Sequence, residues 1–144
     1  MPVQPYELDR EVFNLLNPGV EQLKDWQGAA SGIADYVASW GVERFWAMSR
    51  SQRLLGGQLP NAAVGSEQER RYFAWSVARV ALCKIAGTEL AINPEMNTDQ
   101  FQTRFRQLNF NQQVLLTDLL MEISETIQFW TMRLKDAKES NTVP

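Results

Sequence analysis

The chain contains no histidine, and this absence removes the commonest general base and the commonest metal ligand of proteins. Mechanisms built on a Ser-His-Asp or a Cys-His arrangement are therefore excluded. Chemistry based on carboxylates, lysine or a cofactor stays open, but no acidic residue lies in a recognisable motif and no convergent set of polar residues indicates a pocket. We expect a protein that is not an enzyme and that has neither a cofactor nor a small-molecule substrate.

Cysteine is nearly absent as well, since Cys83 is the single cysteine of the sequence. One cysteine cannot form an internal disulfide or a CxxC pair, which favours a reducing, cytoplasmic location. Within its apolar segment, Cys83 is expected to be a buried structural thiol. The first residues lack a basic stretch followed by an apolar run, so no signal peptide is expected. No apolar run approaches the roughly 20 residues that span a bilayer, so no membrane partner is expected.

Glycine and proline are too few for a collagen-like or a disordered chain, with eight and six residues respectively among 144. This length fits one domain, and we take residues 1–144 as a single helical domain. Residues 1–6 and 139–144 are expected to fray. The clearest loop spans residues 56–65, which carry no charge and include Gly56, Gly57 and Pro60, and it is expected to be mobile.

Apolar residues recur at helical spacing along most of the chain, and no segment of useful length alternates as a strand would. The pattern predicts an all-α, single-domain bundle of five or six helices. In the second predicted helix, Trp40 continues the apolar face of Ile33 and Val37. Gly41 is predicted to break that helix, and Gly87 is predicted to end the fourth helix. The predicted helices cover residues 7–16, 18–40, 42–55, 67–86, 98–108 and 110–138, with a capping box at Ser66 and Glu69 before the fourth.

The last predicted helix carries two sets of apolar residues. The first set is a continuous stripe expected to face the core: Leu116, Leu119, Leu120, Ile123, Ile127, Trp130 and Leu134. The second set comprises Val114, Met121, Phe129 and Met132, which share the opposite side with acidic residues. Either another helix of the same chain covers this second set, or it is an exposed apolar patch that contacts another protein. We take Met121, Phe129 and Met132 as the candidate protein interface.

The densest group of acids lies on that helix at Asp118, Glu122 and Glu125. Di-metal carboxylate bundles normally add Glu-x-x-His pairs, which a chain without histidine cannot supply. A solvated helix face is the interpretation that we favour, and no metal site is expected.

Basic and aromatic residues alternate over Arg44, Phe45, Trp46, Arg50 and Arg53, within a stretch where nine basic residues oppose six acids (residues 41–106). Single-stranded nucleic acid binds such mixtures, because the charges follow the phosphates and flat groups stack on bases. The alternative is that Phe45 and Trp46 belong to the core. The basic residues at the end of the last helix (Arg133, Lys135 and Lys138) would then simply complement its dipole.

Two segments resemble the small helical subunit of type III-B CRISPR (Cmr) effector complexes, or a related type III small subunit. The first runs from Ile33 through the Gly41-Val42 step and on to Arg53, including the Phe45-to-Met48 segment. The second, Leu115 to Ala137, resembles that family's last helix, with Trp130, Arg133 and Lys135 in its terminal aromatic and basic positions. Together the segments cover about 40 of the 144 residues.

This resemblance implies a non-catalytic subunit that stacks on copies of itself and on other effector-complex subunits. Such a subunit lines the groove that holds guide RNA and target RNA. By matched position, Arg50, Arg53, Arg133 and Lys135 become the candidate RNA-binding residues. The alternative hypothesis is a helical protein-protein adaptor or assembly module, of phage or bacterial type, that does not bind RNA.

Overall fold

The computed structural model describes residues 5–17, 23–49 and 73–143. Within these ranges the structure contains six helices and no β-strand, which confirms the predicted all-α fold and is compatible with a single-domain bundle. The helices are α1 (Pro5–Leu16), α2 (Leu23–Trp40), α3 (Val42–Met48), α4 (Phe73–Leu90), α5 (Thr98–Gln107) and α6 (Phe110–Glu139). The described helices include none that is long and apolar enough to cross a membrane.

Several predicted features lie outside the described residues. These are the mobile loop predicted at residues 56–65 and the capping box predicted at Ser66 and Glu69. Residues 1–4 and 144, which belong to the two ends predicted to fray, lie outside the described residues as well. Where α1 is described, it begins at Pro5, two residues before its predicted start, and ends at Leu16 as predicted.

The break between α2 and α3 occurs at a single residue, Gly41, as predicted. Its φ of 89° lies in the left-handed region, which glycine enters without the steric cost that a Cβ atom brings. The Gly41 amide donates to the Val37 carbonyl (2.9 Å), and the Gly41 carbonyl accepts from the Phe45 amide (3.2 Å). The backbone therefore changes direction at Gly41 while its polar groups stay paired.

The prediction that Gly87 ends α4 is wrong, because the helix continues to Leu90. The chain leaves it through Ala91, whose φ is 54°, and the Ile92 amide donates back to the Gly87 carbonyl (3.0 Å). This is a Schellman ending with Gly87 one turn inside the helix. A Cβ atom on Gly87 would lie 2.7 Å from the Ile92 carbonyl oxygen, so glycine is required by the returning chain.

Helices α5 and α6 begin with the same device, an asparagine cap followed three residues later by glutamine. The Asn97 side chain accepts from the Gln100 amide (2.8 Å), and the Gln100 side chain accepts from the Asn97 amide (2.9 Å). Asn109 and Gln112 repeat this reciprocal pair at 2.8 and 3.0 Å. These capping boxes satisfy amides that have no partner within the helix and fix the sharp connection between α5 and α6.

Helix α6 packs against α1, α2 and α4, and its predicted core stripe is confirmed. Trp130 of the stripe is half-buried. The aliphatic members of the stripe are all buried: Leu116, Leu119, Leu120, Ile123, Ile127 and Leu134. The Trp130 indole N–H donates to Asp9 (3.0 Å), and its ring meets Phe13 edge to face, with centroids 5.1 Å apart. These contacts fix α1 against the C-terminal half of α6.

Helix α3 joins this core to α5. Its Phe45 and Trp46 are fully buried, which confirms the interpretation of these two rings as core residues. Trp46 stacks on Phe101 of α5 with centroids 4.1 Å apart. At the surface of the same contact, the Arg106 guanidinium donates twice to the Glu43 carboxylate, at 2.9 and 3.1 Å.

The close approach at Gly87 generates a test of the α4 ending. Alanine normally stabilises a helix interior relative to glycine by about 0.5 to 1 kcal/mol. We expect Gly87→Ala to do the opposite and to lower the free energy of unfolding by about 1 to 3 kcal/mol, because Cβ would displace the chain at Ile92. Urea unfolding followed by far-UV circular dichroism measures this change.

The matched control is Gly32→Ala in α2, where a Cβ atom would meet no heavy atom within 4 Å. This substitution should raise the free energy of unfolding by up to about 1 kcal/mol. Equal stabilisation by both substitutions would show that the chain does not return over Gly87.

Candidate functional site

Of the four candidate RNA-binding residues, the structure describes two. Arg50 and Arg53 lie outside the described residues. Arg133 is exposed, whereas Lys135 is half-buried and forms an ion pair with Glu139 one helical turn later (4.0 Å). Because side chains two positions apart on a helix do not face each other, Arg133 and Lys135 project from different sides of α6. The described part of the chain therefore does not bring them into one basic cluster.

The candidate protein interface is divided between core and surface. Met121 is half-buried and packs against the hydrophobic core. Phe129 and Met132 are 53% and 44% exposed, and their spacing places them on neighbouring positions of the helix surface. The Phe129 ring contacts the Trp130 ring edge to face, with centroids 5.1 Å apart, so the exposed phenyl ring packs against a half-buried indole. Phe129 and Met132 thus form an exposed apolar pair in the C-terminal half of α6, and Phe110 and Val114 near its start are exposed as well (77% and 41%).

The surroundings of this pair are acidic. Asp118, Glu122, Glu125 and Asp136 are all exposed on α6. Across the described ranges, no group of three or more acidic or cysteine residues is arranged to hold a metal ion. The surface of α6 that carries Phe129 and Met132, which we call the outer face, therefore combines apolar side chains with a net negative charge, although the exposed Arg133 lies one turn after Phe129. Such a face repels a polyanion and favours a protein partner that brings positive charge.

A second exposed surface lies where α2 meets α3. Trp40 continues the helical spacing of the buried Ile33 and Val37, but it is itself 56% exposed. The guanidinium carbon of Arg44 lies over the Trp40 ring, 4.6 Å from its centroid, which is a cation–π contact. The turn at Gly41 produces this arrangement, since it directs α3 so that Arg44 reaches back to the last residue of α2. We call Trp40 and Arg44 together the Trp40 corner.

Arg79 is a buried cation that the sequence pattern did not lead us to expect. It is 4% exposed, its guanidinium lies 4.0 Å from the centroid of the Trp46 ring, and its Nη2 donates to the Met96 carbonyl. The Trp46 indole N–H donates to that same carbonyl (2.9 Å). The Nε and Nη1 atoms of Arg79 are buried without a hydrogen-bond partner. The sequence contains one indication that Arg79 is buried, because Arg79 is the single charged residue between Phe73 and Cys83.

The electrostatics around Arg79 determine the state of its neighbour Cys83. Burial lowers the pKa of Arg79 to about 10, so the guanidinium still carries its charge at neutral pH. Burial raises the pKa of the Cys83 thiol to about 12, and the nearby Arg79 charge offsets this only in part. Cys83 is buried, as expected, and at neutral pH it is a thiol rather than a nucleophilic thiolate.

Among the grooves that described residues line, two lie beside α4. The first, of about 400 Å³, separates α4 from the connector to α5, and Cys83 and Lys84 are the ionisable groups among its lining residues. The second, of about 440 Å³, lies between α1 and α4 and is lined by both charge signs, with Glu7 and Glu11 beside Arg10 and Lys84. Neither set of lining residues forms a pattern that indicates a particular ligand.

Comparison with known proteins gives no relative from which a site could be transferred. No family model, no curated protein and no solved structure matches this chain. The outer face of α6 and the Trp40 corner are therefore the features from which a function can be inferred.

The raised pKa of Cys83 generates a prediction about thiol reactivity. At pH 8, a rise from 9.0 to about 12 lowers the thiolate fraction about a thousandfold, and burial further limits access. We expect native Cys83 to react with a disulfide reagent such as DTNB more than about a hundredfold more slowly than the same thiol in denaturant. The absorbance of the released thiol measures both rates.

The matched control places a cysteine at the next position, in the double variant Cys83→Ala/Lys84→Cys. Lys84 is exposed, so its replacement should react at nearly the rate of an unfolded thiol. Equal rates for native Cys83 and this control would contradict the burial of Cys83 between α4 and its neighbours.

Proposed function

We propose that the chain is a non-catalytic structural subunit that binds protein neighbours, including copies of itself, through the outer face of α6. The observation that supports this proposal is the exposed pair Phe129 and Met132. Large apolar side chains grouped on a folded surface are typical of protein interfaces, and a central aromatic residue often carries much of the binding energy.

The charge of the outer face bears on how copies would pair. A two-fold symmetric contact centred on the middle of α6 would bring Glu122 and Glu125 of both copies together, which costs free energy through like-charge repulsion. A head-to-tail contact between two different surfaces avoids this repulsion, and such contacts generate rings or filaments. The acidic outer face therefore supports stacking of copies in a row over a symmetric dimer.

The resemblance to small subunits of type III CRISPR complexes extends the proposal to a particular assembly. In that assembly the stacked copies line the groove of an RNA-guided effector, and Arg50, Arg53, Arg133 and Lys135 contact the RNA backbone. Phosphate contacts of this kind carry no sequence information, so binding would be independent of sequence and strongly dependent on salt. Arg133 lies one helical turn after Phe129, so an RNA strand that contacts Arg133 would pass beside the outer face.

The alternative function is a protein-protein adaptor that does not bind RNA. Two observations favour it: the negative charge of the outer face, and the projection of Arg133 and Lys135 from different sides of α6. The two functions share the protein interface and differ in whether the basic residues contact RNA.

The shared interface is tested with the double substitution Phe129→Ala/Met132→Ala. We expect the dissociation constant for self-association to rise about tenfold or more, since interface anchors of this type each contribute more than about 1 kcal/mol. Sedimentation velocity over a range of protein concentrations measures the change. Because both side chains are largely exposed, the melting temperature should be nearly unchanged.

Tyr6→Ala is the matched control, because Tyr6 is an aromatic residue of α1 that is 67% exposed. It should leave self-association unchanged. A wild-type protein that stays monomeric at all concentrations would refute stacking of copies, and equal effects of both variants would refute the assignment to the outer face.

RNA binding separates the two functions. We expect the assembly purified from its native cells to contain short RNA of uniform length, and the combined substitution of Arg50, Arg53, Arg133 and Lys135 by Ala to reduce that RNA severalfold. The RNA recovered per subunit, measured by denaturing gel, is the readout. Assemblies that form normally but contain no RNA, with or without the substitutions, would establish the adaptor instead.

A further inference from the structure

Trp40 presents an exposed indole ring where α2 meets α3. Among the tryptophans whose side chains the structure describes, Trp46 and Trp75 are buried and Trp130 is half-buried, whereas Trp40 is 56% exposed. It is the last residue of α2, the turn at Gly41 follows immediately, and Arg44 lies over its ring. An exposed indole offers a flat area on which another planar group can stack.

The charge at the Trp40 corner is positive. Arg44 lies over the ring and makes no ion pair with an acid among the described residues. Glu43, the acid next to it in sequence, is already engaged by Arg106 (2.9 Å) and Gln102 (3.0 Å) of α5. Asp35 lies five residues before Trp40 and therefore on a different side of α2. The guanidinium of Arg44 is thus available to an anionic group that approaches the ring.

We propose that the Trp40 corner binds an unpaired nucleobase of single-stranded nucleic acid. The base stacks on the Trp40 indole, and the Arg44 guanidinium pairs with an adjacent phosphate. Aromatic stacking beside a cation is the combination with which proteins hold single strands, and it tolerates any base because every base has a flat face. Bases inside a duplex are covered by their neighbours, so the ligand is a strand with at least one unpaired nucleotide.

This inference rests on the RNA-binding part of the proposed function and adds a site to it. The Trp40 corner shares no residue with the four basic positions or with the outer face of α6. Its chemistry also differs, because the four basic residues would contact phosphates alone, whereas Trp40 would contact a base. A ligand without bases therefore distinguishes the two kinds of contact.

The test uses the full chain and two labelled strands of about ten nucleotides, a size within the range that single-strand-binding proteins cover. One strand is a mixed-sequence RNA, and the other has the same length and charge but lacks bases. Fluorescence anisotropy measures the affinity for each strand. We expect the wild type to prefer the strand with bases, and Trp40→Ala to weaken binding of that strand about fivefold or more, which removes the preference.

Two further variants control for structure and for charge. Trp40→Phe keeps an aromatic surface and should retain most of the preference, whereas Tyr6→Ala removes an exposed aromatic residue elsewhere and should change nothing. Arg44→Gln should weaken binding of both strands and reduce the dependence of affinity on salt, because it removes one phosphate contact.

Each unfavourable result has a distinct meaning. Binding of both strands with equal affinity, unchanged in Trp40→Ala, would overturn the stacking site and leave the phosphate contacts of the proposed function in place. Binding of neither strand would overturn both the stacking site and the RNA-binding role. Loss of self-association in Trp40→Ala, with no effect on RNA affinity, would assign the corner to a protein contact and overturn this inference.

Discussion

Helix α6 extends over 30 residues, and α1, α2 and α4 pack against one side of it. A straight helix can present its apolar stripe to such neighbours on roughly half of its circumference, so the other half stays in contact with water. The acids of α6 occupy the solvent side, where ionised carboxylates remain hydrated at no desolvation cost. Phe129 and Met132 share that side, and their exposure is the reason to infer a partner for a surface that the described part of the chain leaves uncovered.

The connection between α4 and α5 depends on a different interaction, the shared use of the Met96 carbonyl by Trp46 and Arg79. Through it the residues before α5 are held against both α3 and α4. The interaction has a cost, because the buried guanidinium keeps two nitrogen atoms without hydrogen-bond partners. Contact of the charge with the face of the Trp46 ring offsets part of the lost hydration. The placement of α3 by this cluster also fixes the direction in which Arg44 leaves the helix and reaches Trp40.

The two exposed surfaces have opposite character. The outer face of α6 is apolar and acidic, and the Trp40 corner is aromatic and basic. The corner belongs to α2 and α3, and α3 is bound to α5 through Glu43 and Arg106, just before the start of α6. Phe129 lies 19 residues beyond that start, which is roughly 28 Å along the helix axis. The two contacts that we propose, with a protein neighbour and with a nucleic acid strand, therefore use different residues.

The helical fold, the break at Gly41, the core stripe of α6 and the burial of Phe45 and Trp46 were all predictable from the sequence. Each depends on local rules: apolar residues recur every three to four positions, and a turn that needs positive φ selects glycine. No local rule determines which neighbour covers a helix face or how the chain returns over it. The tertiary structure alone decided that Gly87 lies inside α4, that Arg79 is buried, that Met121 packs inward while Phe129 and Met132 do not, and that Trp40 stays exposed. These outcomes depend on contacts between residues far apart in sequence, which periodicity does not encode.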